Sequence, residues 1–150
     1  MSNWQTQEIV TKFSECNINN MVHISRYFIW FEEARFEIAR QVNVANEVVL
    51  NLSSDKEDGK EYLFFTVISI ESKYHSPIGP MRRVIVKTKL HQPKFGRLEF
   101  THRVYDKLTG KLYAEALVHV AIVSNVKGML LHLSKEIKEK IEHYFNSETT

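Results

Sequence analysis

Alternating apolar and polar residues predict strands over most of the chain. The alternation first runs from Gln7 to Phe13, which indicates a first strand. Four further β-rich runs follow in the second half, separated by turn-forming residues. They are Glu61–Tyr74, Arg82–His91, Phe95–Tyr105 and Leu112–Ser124. Because the connections between these four runs are short, we expect antiparallel neighbours in one sheet.

In two segments the pattern of apolar residues is that of a helix instead of a strand. From Ser25 to about Val42 there is no Gly or Pro, and apolar residues crowd the first three turns. We expect a long helix there, with Ser25 as its N-cap, buried on nearly every side in its first half and amphipathic in its second half. An amphipathic helix is predicted at about 134–146, behind the N-cap Ser134. One antiparallel sheet wrapped around the long helix buries it economically, so the expected fold class is α+β with residues 1–150 as a single domain.

Composition places the chain among ordinary globular proteins. It has 150 residues, 43% of them hydrophobic and 25% charged, and a single cysteine, Cys16, which can form no internal disulfide. The first residues have neither the basic head nor the apolar core of a signal peptide. No apolar run approaches the roughly 20 residues that span a bilayer. We therefore expect a cytoplasmic protein and no membrane contact.

Charge is distributed unevenly along the chain. The net charge is only +2, yet residues 73–111 hold ten basic and two acidic residues, a net of +8. Such a segment is either the solvated face of several strands or a contact for an anionic partner. RNA, a nucleotide-tailed cofactor and an acidic carrier protein are the partners with that chemistry.

Several common catalytic signatures are absent from the sequence. There is no Gly-rich phosphate loop, no G-x-S-x-G, no H-E-x-x-H and no cysteine pair, and the seven histidines do not fall at metal-ligand spacing. We therefore expect no metal and no cofactor. Within strands, we expect His102 and His119 to be half-buried or surface residues rather than ligands. Cys16 with His23 stays open as a nucleophile and base, although no orienting partner is evident.

The segment from Phe13 to Arg35 carries a resemblance. It has Asn17 after the aromatic Phe13, Tyr27 at the start of the long helix, and the series Phe31-Glu-Glu-Ala-Arg35 on that helix. This pattern resembles the signature of hotdog-fold thioesterases of the 4-hydroxybenzoyl-CoA thioesterase type. The strand order and the Tyr74–Ile78 junction are similar to that family as well. The resemblance covers about residues 8–124 and implies a hotdog fold, an antiparallel sheet around a long central helix.

One position departs from that family. Its catalytic carboxylate falls on Asn17, and a neutral amide can act neither as a base nor as a nucleophile. The thioesterases associated with enediyne polyketide synthases are similar here, with Glu-x-Asn and an arginine 18 residues later, as in Glu15-Cys-Asn17 and Arg35. This resemblance implies that the chain is a thioester hydrolase that releases polyketide or β-ketoacyl chains from an acyl carrier protein.

The resemblance also implies roles for particular residues. Asn17 positions a water or the substrate carbonyl, Arg35 fixes a β-keto group or developing charge, the backbone N–H of Ile24 polarises the thioester, and Tyr27 completes the catalytic pocket. Five other residues are predicted to bind substrate. Phe28 and Phe31 would contact the acyl chain, and Lys73, Arg82 and Arg83 would contact the carrier protein or CoA.

Plainer readings of the same residues stay open. Asn17 could simply stabilise a turn, and Arg35 could pair with Glu32 or Glu33 on the helix surface. Glu33 could instead serve as the base.

Other functions remain open as well. One is an acyl-CoA thioesterase of the same fold, and another is a non-catalytic protein that binds acyl chains or RNA. A hotdog dehydratase is not favoured, because its H-x-x-x-x-P-G type of motif is missing. A single hotdog leaves sheet edge and helix surface uncovered, so we expect a homodimer or homotetramer with sites near the subunit boundary. We expect an acyl carrier protein or CoA thioester as the substrate rather than nucleic acid.

Overall fold

The structure, a computed structural model, describes residues 4–43 and 63–147. The loop expected at 51–60, and the first two residues of the run Glu61–Tyr74, lie outside the described residues. Six strands and two α-helices are described: β1 (Trp4–Val10), α1 (Ile24–Val42), β2 (Leu63–Tyr74), β3 (Arg83–Leu90), β4 (Arg97–Asp106), β5 (Leu112–Ser124), β6 (Gly128–Met129) and α2 (Lys135–Ser147).

The strands form one antiparallel sheet in the order β1-β3-β4-β5-β2, and the short β6 pairs with β5. The buried side chains of α1 join those of the sheet in one hydrophobic core. This confirms the expected hotdog architecture, an antiparallel sheet with a long helix. The sequence did not indicate β6, which is only two residues long.

Strand alternation sorts the side chains between the two faces of the sheet, as the sequence predicts. In β3, Val84, Val86, Thr88 and Leu90 are buried, whereas Arg83 is exposed and Ile85, Lys87 and Lys89 are half-buried. The helix contributes Tyr27, Trp30, Phe31 and Ile38 to the same core. Burial of each of the Val, Leu, Ile and Phe side chains among them stabilises the fold by about 1.5–3 kcal/mol.

The start of the chain differs from the prediction in two places. The first strand runs from Trp4 to Val10 instead of reaching Phe13, because the buried Thr11 turns the chain out of the sheet. Its hydroxyl donates to the carbonyl of Gly79 (2.7 Å) and accepts from the N–H of Arg82 (2.9 Å). The N-cap of α1 is His23, whose ring accepts from the N–H of Ser25, and not Ser25 itself.

The prediction that the first half of α1 is buried on nearly every side is wrong for the single chain. Phe28 and Ile29 remain 37% and 42% exposed, and Phe36 in the amphipathic second half is 50% exposed. A sheet on one side of a helix covers only the stripe that faces it, so the apolar residues on the opposite side stay uncovered. The second helix agrees with its prediction, since the Ser134 hydroxyl accepts from the N–H of Ile137 at 3.2 Å.

A β-bulge in β2 changes which residues face the helix. Val67 pairs with Val120 and Ser69 pairs with His119, so Ile68 is the extra residue. Side chains alternate between faces along a strand, and the extra residue shifts that alternation by one. As a result Phe65 and Val67 before the bulge share a face with Ile70 and Tyr74 after it.

Candidate active site

Asn17 lies in a tight turn that its own side chain stabilises. The amide oxygen accepts from the backbone N–H groups of Asn19 (2.9 Å) and Met21 (3.3 Å). The backbone N–H of Asn17 donates to the carbonyl of Met21, and its carbonyl accepts from Asn20. Stabilisation of this turn, the alternative left open for Asn17 above, is therefore part of its role. With the oxygen occupied, the group that Asn17 can offer a ligand is its NH₂.

The same loop holds the start of α1. The N–H of His23 donates to the carbonyl of Glu15, and the N–H of Val22 donates to that of Ile78, each at 2.8 Å. These bonds hold the loop that contains Asn17 against the start of the helix at Ile24. The N–H groups of a first helical turn have no acceptor within the helix and lie at the positive end of its dipole. The N–H of Ile24 is therefore suited to polarise a carbonyl.

Tyr27 lies one turn further along α1 in an aromatic cluster. It is 3% exposed, and its ring centroid is 5.2 Å from that of Trp30 and 5.3 Å from that of Tyr74. Burial above all, together with the neighbouring Tyr74 and Tyr113, raises the pKa of Tyr27 to about 12. The phenol is therefore neutral at physiological pH and can form a wall or donate a hydrogen bond, but cannot act as a base.

Arg35 lies in a different place, on the wall of a cavity of about 330 Å³ between α1, α2 and the sheet. The lining is mostly apolar, and its other charged residue, Glu32, has an exposed side chain. Neither Phe28 nor Phe31 lines this cavity: Phe31 is 1% exposed in the core, and Phe28 is on the open side of α1. The aromatic residues that do line it are Phe36, Phe64, Phe65 and Phe100.

One chain does not bring Asn17 and Arg35 together. Arg35 is eleven residues beyond Ile24 on a continuous helix, a distance of about 16 Å at 1.5 Å per residue. Nor does Arg35 form the surface pair with Glu32 or Glu33 that was left open as an alternative, because among the described residues no carboxylate lies within 4.0 Å of it.

The partner of Arg35 is His102, a residue that the sequence did not single out for the site. The Nη1 of Arg35 is 3.1 Å from the Nε2 of His102, which is 0% exposed on β4. The expectation of a half-buried or surface histidine is therefore wrong for His102. Alternation in β4 was the available signal, because His102 shares the buried face with Phe100 and Val104.

The three basic residues predicted to bind substrate are divided between two places. Arg82 and Arg83 are adjacent and exposed, and Arg82 Nη2 is 3.7 Å from the carboxylate of Asp106. Lys73 is on β2, three strands away from β3 in the sheet order and level with Lys87 rather than Arg83. The lateral spacing alone is about 14 Å at 4.8 Å per strand. Lys73 borders a groove on the outer face beside Glu71 and Glu115.

Asp106, to which Arg82 is paired, is structural. Its carboxylate accepts from the Tyr113 hydroxyl at 2.7 Å and from the N–H groups of Leu108 and Thr109. The Tyr113 bond first, and then these backbone bonds, lower the pKa of Asp106 to about 2. The ionised carboxylate holds the turn between β4 and β5, and part of the charge of Arg82 is directed to it.

The other open alternatives find little support in the geometry. The Cys16 thiol donates to the carbonyl of Lys12 at 3.4 Å, and the His23 ring is engaged with Ser25, with no hydrogen bond between the two side chains. Glu33 is exposed on α1. Within residues 4–43 and 63–147 there is no group of three metal-ligating side chains. No helix in that part of the chain is long and apolar enough to cross a membrane.

Known proteins to which this chain is similar include thioesterases and members of a thioesterase-like family. The family described as Thioesterase-like superfamily matches residues 11–141. A 1,4-dihydroxy-2-naphthoyl-CoA thioesterase from Synechocystis is similar in structure, with a TM-score of 0.74 at 13% identity over 98% of both chains. The DHNA-CoA thioesterase from Staphylococcus aureus has a TM-score of 0.70 at 16% identity, over 98% of this chain and 95% of that one.

A third similar structure is the probable thioesterase YbaW from Escherichia coli, with a TM-score of 0.70 at 19% identity over 93% of this chain and 97% of that one. No curated protein matches by sequence. At these identities the structures establish a shared fold.

Proposed function

This chain belongs to the thioesterase-like superfamily and is a thioester hydrolase of the hotdog fold, and from that premise we propose that it releases β-ketoacyl chains from an acyl carrier protein. The observation that carries the proposal is Arg35 on the wall of a mostly apolar cavity. A hydrocarbon chain fits an apolar lining, whereas a keto oxygen on that chain accepts a hydrogen bond from the guanidinium.

The proposed mechanism needs no catalytic carboxylate. A β-ketoacyl thioester is an activated electrophile, so orienting a water and stabilising the oxyanion suffice. We assign the NH₂ of Asn17 to orienting the water or the thioester carbonyl, and the N–H of Ile24 to polarising that carbonyl. A fixed donor of this kind contributes about 2.7–4 kcal/mol of transition-state stabilisation. Tyr27 closes the pocket as a neutral phenol.

A second copy of the chain completes the proposed site. Asn17 and Arg35 are too far apart on one chain to act on the same acyl thioester close to its carbonyl. The strand β2 is an edge of the sheet, exposes Val67, Ile70 and Tyr74, and also supplies Val67 to the cavity lining. Pairing of two copies at this edge would cover these residues and the cavity beside them. The proposed assembly is therefore a homodimer, alone or within a tetramer.

The carrier of the acyl chain has two candidates. An acyl carrier protein is acidic, and the exposed Arg83 and Lys73 offer it positive charge at two separate places on the sheet. CoA is the second candidate, because two of the similar structures are thioesterases of dihydroxynaphthoyl-CoA. Its phosphates would use the same basic residues.

The test is single-turnover hydrolysis of β-ketoacyl and saturated acyl chains of equal length, each on carrier protein and on CoA. We expect the β-ketoacyl carrier protein to be cleaved fastest. Asn17→Ala should slow that step by about 10²-fold or more, the usual effect of losing one positioned donor. Arg35→Gln should slow the β-ketoacyl substrates more than the saturated ones.

Matched variants control for folding. Asn17→Ser keeps an oxygen that can accept in the turn while removing the NH₂, and Arg40→Gln removes an exposed arginine of the same helix that pairs with Glu37. We expect Asn17→Ser to be slow and Arg40→Gln to retain wild-type rates. Full activity in a folded Asn17→Ser variant would contradict the amide mechanism. Inertness of the folded wild type toward all four substrates would instead favour a non-catalytic acyl-binding protein.

A further inference from the structure

Hydrogen bonds between three polar side chains, those of Arg35, His102 and Thr88, cross the core beside the cavity. Arg35 Nη1 is 3.1 Å from His102 Nε2, and His102 Nδ1 is 2.7 Å from the hydroxyl oxygen of Thr88. Both His102 and Thr88 are 0% exposed. The imidazole lies nearly parallel to the ring of Phe31, with centroids 4.5 Å apart, and nearly parallel to Phe100 at 6.3 Å. The ring of His102 is therefore fixed both at its edges and on its faces.

The chemistry of the donors determines where the protons lie. A guanidinium only donates, so Nε2 of His102 must accept from Arg35, and the ring proton must be on Nδ1 and donate to the oxygen of Thr88. Burial, and secondly the charge of Arg35, lower the pKa of His102 to about 2. The imidazole is neutral, with one tautomer selected by its two neighbours.

A neutral partner leaves the positive charge of Arg35 available. A carboxylate in the place of His102 would neutralise the guanidinium, whereas an imidazole orients it and keeps its charge. Burial lowers the pKa of Arg35, and Glu32 opposes this only through space. A partly buried cation beside apolar surface, with Glu32 acting on it only through space, reduces stability, and such groups are concentrated at functional sites.

We propose that His102 is a positioning residue that, anchored by Thr88, fixes Arg35 so that its charge faces an electronegative oxygen on the bound acyl chain. This inference deepens the proposed function and rests on it for the identity of the ligand, an acyl thioester that carries a keto group. The role of His102 is to make the cavity distinguish oxygenated acyl chains from plain hydrocarbon chains of the same length.

Binding of non-hydrolysable analogues tests the inference without requiring turnover. The probes are 3-oxoacyl and saturated acyl pantetheine amides of equal chain length, in which an amide nitrogen replaces the thioester sulfur. We expect wild-type protein to bind the 3-oxo analogue at least about tenfold more tightly, the effect of one good charge-assisted hydrogen bond. Thr88→Val and His102→Leu should reduce that preference to less than about threefold while leaving the affinity for the saturated analogue unchanged.

A conservative variant separates positioning from packing. His102→Gln keeps an amide oxygen that can accept from Arg35, and we expect it to restore most of the preference that His102→Leu loses. If His102→Leu does not fold, the isosteric Thr88→Val provides the comparison. Equal loss of affinity for both analogues, or an unchanged preference in Thr88→Val, would overturn the assignment of His102.

The two proposals fail in different measurements. Failure of the proposed function appears as an absence of hydrolysis by the wild type, and the amide analogues do not depend on hydrolysis. Failure of the positioning role appears as a preference of the wild type for the 3-oxo analogue that His102→Leu and Thr88→Val both retain. A ¹⁵N NMR spectrum of the wild type adds a check, since the inference requires the Nδ1–H tautomer of His102.

Discussion

One buried residue, His102, makes the free energy of unfolding depend on pH. His102 is buried and neutral, with a pKa lowered to about 2, whereas an unfolded histidine titrates near 6.5. Between these two values the unfolded chain binds one more proton than the folded chain. The free energy of unfolding therefore falls as pH falls below about 6.5, and this contribution is fully present above that pH.

We predict that the free energy of unfolding decreases less steeply with falling pH in His102→Gln than in the wild type. In the wild type, His102 should contribute a slope of about 1.4 kcal/mol per pH unit between pH 6 and pH 4. Urea unfolding at several pH values measures it, with His143→Gln as the control because His143 is exposed on α2. Equal slopes in wild type and His102→Gln would show that the imidazole is not held neutral by burial.

At the scale of elements, tight contacts between segments limit which residues the turns accept. Gly96, between β3 and β4, has a φ of +75° and lies against the chain that leads into α2. A Cβ there would be 2.7 Å from backbone atoms of Leu131. Gly110, between β4 and β5, has the same φ of +75° but no atom within 4 Å of such a Cβ. Substitutions at Gly96 and at Gly110 therefore share the backbone strain and differ only in the steric overlap.

We expect Gly96→Ala to destabilise the protein more than Gly110→Ala. Both variants incur the cost of a left-handed backbone, about 1–2 kcal/mol, and only Gly96→Ala must also displace the backbone at Leu131. Thermal or urea unfolding of the two variants measures the difference. Equal destabilisation of both would mean that the segment before α2 can move aside without cost.

At the scale of the whole molecule, the uncovered apolar surface is the main feature of the single chain. Phe28, Ile29 and Phe36 on α1 and Val67 and Ile70 on β2 are all at least 37% exposed. An exposed edge strand with apolar side chains is prone to pair with another copy. This surface supports the proposed homodimer.

Substitution on the edge strand tests that assembly. Ile70→Lys should shift the proposed dimer toward monomer and reduce hydrolysis in parallel, because it places a charge where two copies would meet. Leu108→Lys is the matched control, since Leu108 is 82% exposed in the turn between β4 and β5. Sedimentation equilibrium measures the mass of each. An unchanged mass in Ile70→Lys would indicate that another surface, or none, mediates assembly.

The sequence by itself determined most of the elements and, in a strand without a bulge such as β3, the face that is buried. Alternation and helical period depend on neighbours a few residues apart, so the long helix, four of the strands and the cap Ser134 could be predicted within a few residues. The resemblance of the segment from Phe13 to Arg35 supplied the fold and the candidates Asn17 and Arg35.

Only the tertiary structure decided which side chains meet. Arg35 and His102 are 67 residues apart, and no local pattern encodes the choice of His102 over Glu32 or Glu33 as the partner of Arg35. The bulge at Ile68 and the exposed side of α1 likewise depend on how the sheet and helix pack. Periodicity assigns a side chain to a face, but the partner it contacts there depends on strand order and register, which long-range packing determines.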